Sequence, residues 1–473
     1  MALSPDQLAT AAHDHLLLQF SRNGAYGPDG SDLVVLERGE GPYVWDTRGQ
    51  RYIDGLSCLF CCQLGYSYGH EMAEVAAAQL ARLPFNTNWG TAHPPAIELA
   101  ARLGELAPGD LNRVMFTSGG SESVEAAWKL ARLHHVANGE PQRIKAIARD
   151  RAYHGVTLGA LALTGVASNK EPFGEPAIPV ARISHTGRFR VADGDDEAAF
   201  CARLLDELER TIQSEGPEQI ALIIAEPVQN AGGCLEPPAG YWQGLRALAD
   251  RYGILLCADE VITGFGRLGE WFASSRYGAE PDLLTVAKGL TSAHAAMGAV
   301  LVSDRVAEPL YEPGRMLVHG ITFAGHPVSA AIALRNLEIF ERDGVLENVR
   351  ALEDHLRSRM QELTSLPIVA DVRGAGFFWA AELVKGDRDS RFDAAERERL
   401  IRGLLPRELV QAGLIARADD RGEPVLQIAP PLICDAAQLD EIVDAMATVL
   451  AAAGEEMVPA TPVTPAATAG QAG

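Results

Sequence analysis

Ala258-Asp-Glu-Val-Ile-Thr-Gly-Phe-Gly-Arg267 follows the apolar run Ile254–Cys257 and places an aspartate, Asp259, just past its end. Thr285-Val-Ala-Lys-Gly-Leu290 makes the same arrangement with a cation, since Lys288 ends the run Leu283–Ala287. Open α/β sheets bind their ligands beyond the carboxyl ends of buried parallel strands, which is where both charges fall. A lysine there can form a Schiff base with an aldehyde, and an aspartate can hold a pyridinium nitrogen protonated. The pair points to pyridoxal 5'-phosphate.

Two further stretches supply the rest of such a site. Thr117-Ser-Gly-Gly-Ser-Glu122 lies between a strand pattern and a long helix pattern. Gly120 and Ser121 would open that helix, whose free N–H groups and serine hydroxyl suit a phosphate. Read alone, the run is an ordinary glycine turn with Ser121 as N-cap. Tyr153-His-Gly155 brings an aromatic beside a glycine after the next strand. Tyr153 could cover one face of a planar ring, and Val261, on the strand face shared with Asp259, the other. Singly, Tyr153 is more often a core or loop aromatic.

Outward from these motifs, strand and helix patterns alternate. Strands are expected at Val114–Thr117, Ile144–Ala148, Ile220–Ala225, Ile254–Ala258, Leu283–Val286 and Ala299–Val302. Helices are expected at Ser121–Val136 and Gly240–Tyr252 between them. The alternation predicts an α/β fold, a large domain with a mostly parallel sheet covered on both faces. After Gly325 the chain becomes helix-rich over Pro327–Asp343 and Leu346–Leu363, then strand-like near Ile368–Val372, Phe377–Leu383 and Val425–Ile428. A smaller α+β domain is expected there. Short strands at Leu33–Leu36, Tyr43–Trp45 and Tyr52–Ile53 would join it. The expected division is residues 1–70 as an N-terminal segment of the small domain, 71–325 as the large domain, 326–454 as the small domain, and 455–473 as a disordered Ala/Pro/Thr-rich tail.

At 473 residues two or three domains are expected, and 47% hydrophobic residues suffice for their cores. The formal charge of −22, from 63 acidic and 41 basic residues, argues against nucleic acid or an anionic membrane as partner. No apolar run is long enough to span a bilayer, and the N-terminus lacks a signal-peptide pattern, so a cytoplasmic protein is expected. Cys58-Leu-Phe-Cys61-Cys62 has a CxxC spacing without a second CxxC or a histidine pair, and seven cysteines fit reduced, packed thiols; no metal site is expected. Gly264-Phe-Gly266-Arg-Leu-Gly269 matches the dinucleotide pattern G-x-G-x-x-G, but four residues beginning with Glu260 intervene before its first glycine and Glu270-Trp-Phe-Ala273 opens poorly as a helix.

The chain resembles the class III aminotransferases, pyridoxal phosphate enzymes of fold type I, over about residues 30 to 450. The Ala258–Arg267 and Ala287-Lys-Gly289 motifs carry the resemblance, with His319-Gly-Ile-Thr-Phe-Ala-Gly-His-Pro327. It implies that Lys288 is the Schiff-base lysine and proton carrier, and that Asp259 pairs with the ring nitrogen. It also implies that Gly120 and Ser121 hold the phosphate, that Tyr153 and Val261 flank the ring, and that His154 and Glu226 stand near the cofactor. Thr322 would reach the cofactor phosphate of a partner subunit, which implies a homodimer. Ile262 stands where ornithine and γ-aminobutyrate relatives carry glutamine, so the chain is similar to the amine:pyruvate and ω-amino acid:pyruvate branch. Leu59, Phe60 and Trp89 would then wall the substrate pocket, unless Phe60 and Trp89 are core residues. Arg417 aligns with the arginine that binds a keto acid carboxylate and swings aside for apolar amines, with Arg421 close by. The implied activity is amino transfer from an amine or ω-amino acid to a keto acid such as pyruvate. Another class III substrate, a diamine or γ-aminobutyrate, or an aminomutase, remains the alternative.

Overall fold

The computed structural model describes residues 3–27, 33–189 and 196–458. Its centre is a seven-stranded sheet in the order Arg113–Thr117, Gly298–Val302, Leu283–Val286, Leu255–Asp259, Ile220–Ala225, Lys145–Arg149 and Val180–Ile183. Gly298–Val302 runs antiparallel to both neighbours, and the other six strands point one way. The inner strands Ile220–Ala225, Leu255–Asp259 and Leu283–Val286 are buried at every position, as apolar strands covered on both faces must be. The large parallel-rich sheet agrees with the expected α/β fold.

Two smaller sheets flank it. Val369–Ala375, Phe378–Leu383, Val425–Ile428 and Arg417–Asp419 form an antiparallel sheet near the C-terminus. Leu36–Glu40, Tyr43–Asp46 and Arg51–Asp54 form a meander whose last strand pairs in parallel with Leu414–Ile415. The first of these strands lies later than the Leu33–Leu36 run suggested. Glu40 pairs with Tyr43 across a two-residue turn in which Gly41 has φ 55°, and that turn sets the register.

Two elements escape the periodicity reading. Val180–Ile183 is a half-exposed edge strand containing Arg182, so it lacks the continuous apolar run of the inner strands. Ala436–Met457 is a 22-residue helix, capped by Asp435 with Gln438 in a capping box. It runs through Glu455 and Glu456 because Met457 is buried against the core, so the expected tail does not begin at 455. The remainder of that tail, 459–473, lies outside the described residues, as do residues 28–32 of the N-terminal segment.

The Gly264–Gly269 run folds as a turn, with Phe265, Gly266 and Gly269 at positive φ, and the next helix, Ala273–Tyr277, has only five residues. The glycines therefore open no long helix. Arg267, fully buried, joins the three sheets. It donates to the carbonyls of Phe377 and Pro430 at 3.1 and 2.5 Å and to Ser57 Oγ at 3.1 Å.

Candidate active site

Six strands with a common direction send their carboxyl ends to one edge of the sheet, and the nominated side chains arrive there from five of them. Arg113–Thr117 leads into the helix Gly120–Ala137, Lys145–Arg149 into Tyr153-His154, and Ile220–Ala225 into Glu226. Asp259 ends its strand, and Lys288 follows Leu283–Val286. A cavity of about 430 Å³ opens between them, within the range of small-molecule and cofactor sites. Lys288, Asp259, Val261, Tyr153, His154 and Glu226 all line it, as do Gly120 and Ser121 at the helix start.

Asp259 is buried and held from three sides. Its Oδ1 accepts from the Val261 N–H at 3.1 Å and from Thr285 Oγ1 at 3.0 Å, and its Oδ2 lies 2.6 Å from His154 Nδ1. Thr285 is opposite Asp259 in the parallel register of adjacent strands, so strand pairing places the hydroxyl. His154 is buried too, and its Nε2 has no hydrogen-bond partner among the described residues. A carboxylate with both oxygens engaged is fixed in orientation, and the cavity is the open side left to it.

Lys288 has φ 41°, in the left-handed region where side chains are strained. Such strain persists only where the surroundings impose it, and it concentrates at functional positions. Its amine makes no hydrogen bond or ion pair among the described residues. The side chain is enclosed by protein except toward the cavity, and this burial pushes the amine below the usual lysine range. Cys61 and Asp259 oppose the shift and Arg417 adds to it. A lysine so placed holds its neutral form at lower pH than a solvated one.

At the other end of the cavity, no side chain caps the helix Gly120–Ala137. A Cβ on Gly120 would stand 2.8 Å from Val261 Cγ1, so the missing side chain lets Val261 lie against the helix start. Ser121 Oγ accepts from the Val156 N–H at 3.2 Å, and a Cβ on Gly155, at φ 118°, would lie 2.3 Å from the same oxygen. Free helical N–H groups and a hydroxyl suit this end to an anion. Glu226, buried, accepts from the N–H groups of Tyr153 at 3.2 Å and Asn230 at 3.0 Å, and burial raises its carboxyl above the usual range.

The remaining nominated residues stand outside the cavity of this chain. Phe60 is buried against Phe378, with ring centroids 5.8 Å apart. Leu59 is half exposed. Trp89 is 61% exposed and its ring nitrogen would lie 2.7 Å from a Cβ on Gly320, while Thr322 is on the exposed loop beyond. The segment bearing Phe60 is itself strained, with Ser57, Cys58 and Phe60 at φ 48°, 58° and 63°. Asp54 holds it by accepting from the N–H groups of Leu56 and Cys58 and from the Tyr66 hydroxyl.

Arg417 also stands outside the cavity wall. Its guanidinium carbon lies 5.9 Å from the Phe60 ring centroid, and its Nε is 3.5 Å from Asp419 Oδ2. Burial, reinforced by Arg421, pushes its guanidinium down to about 10. Arg421 is tied far more closely to the same carboxylate. Its Nε is 2.9 Å from both oxygens, its Nη2 2.5 Å from Oδ2, and its backbone N–H 2.9 Å from Oδ1. Its guanidinium carbon stands 5.5 Å from the Tyr153 ring centroid.

Sequence reasoning missed Thr285, Cys61 in the cavity wall, the wall segment from Thr291 to Met297, and the Asp419–Arg421 pair. Thr285 carried a signal, being the single polar residue of an otherwise aliphatic strand. Asp419 carried none, because a charge on a short surface-like strand is ordinary.

The model of the aminotransferase class-III family matches residues 26–450. The chain is 46% identical over 451 residues to the Mycobacterium tuberculosis protein named "Probable aminotransferase Rv3329", covering 95% of each. It is 38% identical over 441 residues to the putrescine–pyruvate aminotransferase of Pseudomonas aeruginosa, covering 91% of this chain and 93% of that one. Among solved structures, a thermostable (S)-enantioselective omega-transaminase from Thermomicrobium roseum superimposes with a TM-score of 0.91 at 39% identity, covering 96% of this chain and all of that one.

Proposed function

The chain belongs to the class III aminotransferases, and from that premise we propose that it moves the amino group of an amine or ω-amino acid to a keto acid such as pyruvate, with pyridoxal 5'-phosphate held in the cavity around Lys288. When bound, the cofactor supplies an aldehyde that takes up the amino group and a ring that draws electrons from the carbon beside it. Lys288 would hold the cofactor between turnovers and, as a neutral amine, would move the proton from the donor's α-carbon. Asp259 would pair with the ring nitrogen, aimed by Thr285, Val261 N–H and His154. Gly120 and Ser121 would take the phosphate at the helix start, Tyr153 and Val261 would lie against the ring, and Glu226 holds the Tyr153 backbone N–H. The observation that carries the proposal is that an unpartnered, half-buried lysine and a fixed carboxylate face one cavity, with an uncapped helix start at its other end.

Substrate class rests on the wall and its rim. Ile262, Val228 and Met297 make part of the wall apolar, and one guanidinium, Arg417, waits outside it. An apolar donor fits the wall, and the keto acid carboxylate would call on Arg417. Leu59 and Trp89 belong to this reading as exposed side chains beyond the cavity, and Phe60 as the buried ring against which Arg417 stands. A diamine donor is the second reading, favoured by the identity to putrescine–pyruvate aminotransferase.

We also propose a homodimer in which a second copy lends its Thr322. Supporting it, Phe85, Trp89, Met316, Val318 and Phe323 are exposed, and the Phe85 and Phe323 rings are 5.6 Å apart. An apolar face of this kind on a water-soluble surface marks an interface. Incubating the cofactor-loaded protein with apolar amines, diamines and ω-amino acids against pyruvate, and scoring alanine formed, tests the function. Alanine from apolar amines is expected. Alanine from diamines alone would move the assignment to the second reading, and none from any donor would reject pyruvate as acceptor.

A further inference from the structure

Three charges at the rim are arranged unequally. Asp419 is buried between two arginines, and Arg421 takes it almost entirely, with three N–H groups and four contacts at 2.5 to 2.9 Å. Arg417 approaches it no nearer than 3.5 Å, from Nε. The Arg417 guanidinium makes no hydrogen bond among the described residues, so this approach is its link to Asp419. The planar fork that grips a carboxylate bidentately is therefore open, while the side chain is lightly tethered at its base. One carboxylate between two guanidinium groups also leaves one positive charge uncompensated at a half-buried position.

We propose that Asp419 and Arg421 are positioning residues that set the keto acid affinity of Arg417: Asp419 is the resting counter-ion that a substrate carboxylate displaces, and Arg421 occupies Asp419 so that Arg417 is never fully held. This rests on the reading of Arg417 as the carboxylate-binding residue. The two neighbours act in opposite senses. Removing the charge of Asp419 leaves Arg417 nothing to return to, so a substrate carboxylate binds more tightly and an apolar donor meets a cation it cannot displace. Removing Arg421 gives Asp419 wholly to Arg417, which then leaves it reluctantly. A residue that merely supported the fold would weaken both half-reactions.

The test compares Asp419→Asn, Arg421→Gln and Arg417→Ala in the cofactor-loaded enzyme. Stopped-flow absorbance gives the apparent Kd and limiting rate for pyruvate in one half-reaction and for 1-phenylethylamine in the other. Calorimetry gives the Kd of propionate, an unreactive carboxylate. Asp419→Asn is expected to tighten pyruvate and propionate roughly tenfold and to weaken the amine. Arg421→Gln is expected to do the reverse by a similar factor, the scale of about 1.4 kcal/mol for one contact to a charged group. Each effect should vanish when combined with Arg417→Ala. Shifts of the two variants in the same direction, or no shift in either, would overturn the inference while a selective loss of pyruvate binding in Arg417→Ala still supported the parent reading. If Arg417→Ala weakened both half-reactions equally, the parent reading would fall and this inference with it. Should Asp419→Asn fail to fold, Arg421→Gln alone decides by the sign of its pyruvate shift.

Discussion

Asp259→Asn probes the centre of the site, and the structure sets its cost. The three donors around Asp259 accept only one orientation of the new amide. Placing its NH2 at the Oδ1 position would oppose it to the Val261 N–H, so the amide nitrogen must face His154. His154 Nδ1 must then accept, which moves the ring proton to Nε2, and that atom has no partner among the described residues. A buried unsatisfied N–H costs about 1–3 kcal/mol. Urea unfolding of the cofactor-free protein should show that loss. Turnover should fall further, by roughly the 10²–10⁴-fold associated with misplaced proton chemistry, because an amide cannot hold a ring nitrogen protonated. Steady-state alanine formation measures it. Turnover within a few-fold of wild type would refute the role given to Asp259, and unchanged stability would refute the His154 argument.

Gly120→Ala puts a Cβ 2.8 Å from Val261 Cγ1, a β-branched side chain with little freedom to yield. An overpacking cost of about 1–3 kcal/mol at the helix start should weaken cofactor binding about tenfold or more in a fluorescence titration, and unchanged affinity would mean the helix start does not hold the phosphate. Glu226→Gln tests the buried carboxyl through pH. Burial raises its folded value above the ordinary 4.5, so the folded state keeps a proton that the unfolded state has lost. Wild-type stability from this group is therefore present below about pH 4.5 and lost as pH rises through the raised value. Melting of the cofactor-free proteins should increasingly favour the variant as pH rises above about 4.5 and level off beyond the raised value, and a difference independent of pH would contradict the argument.

The large sheet was legible because its inner strands are continuous aliphatic runs, and Ile220–Ala225 and Leu283–Val286 match their expected bounds. Val180–Ile183 was not, since an edge strand half in water has no such run. The helix Ala436–Met457 was hidden by an alanine-rich stretch that reads equally as helix or low-complexity tail, and only the burial of Met457 against the core decides. In the site, charges that end apolar runs were visible one by one, as Asp259 and Lys288 were. The support around Asp259 was not, because Thr285 reaches it through strand register and His154 through a loop, and neither relation is local in sequence. The Arg417–Asp419–Arg421 balance depends on which arginine wins a shared carboxylate, and spacing alone does not rank them.

Hydride trapping tests the central claim most directly. The cofactor-loaded protein is reduced with borohydride and digested, and the labelled peptide is identified by mass spectrometry. The label is expected on Lys288, within the peptide containing Thr285-Val-Ala-Lys-Gly289. Lys288→Ala should carry none there and should form no alanine. A label on any other lysine of the wild type, or a Lys288→Ala protein that still transfers amino groups at the wild-type rate, would contradict the account.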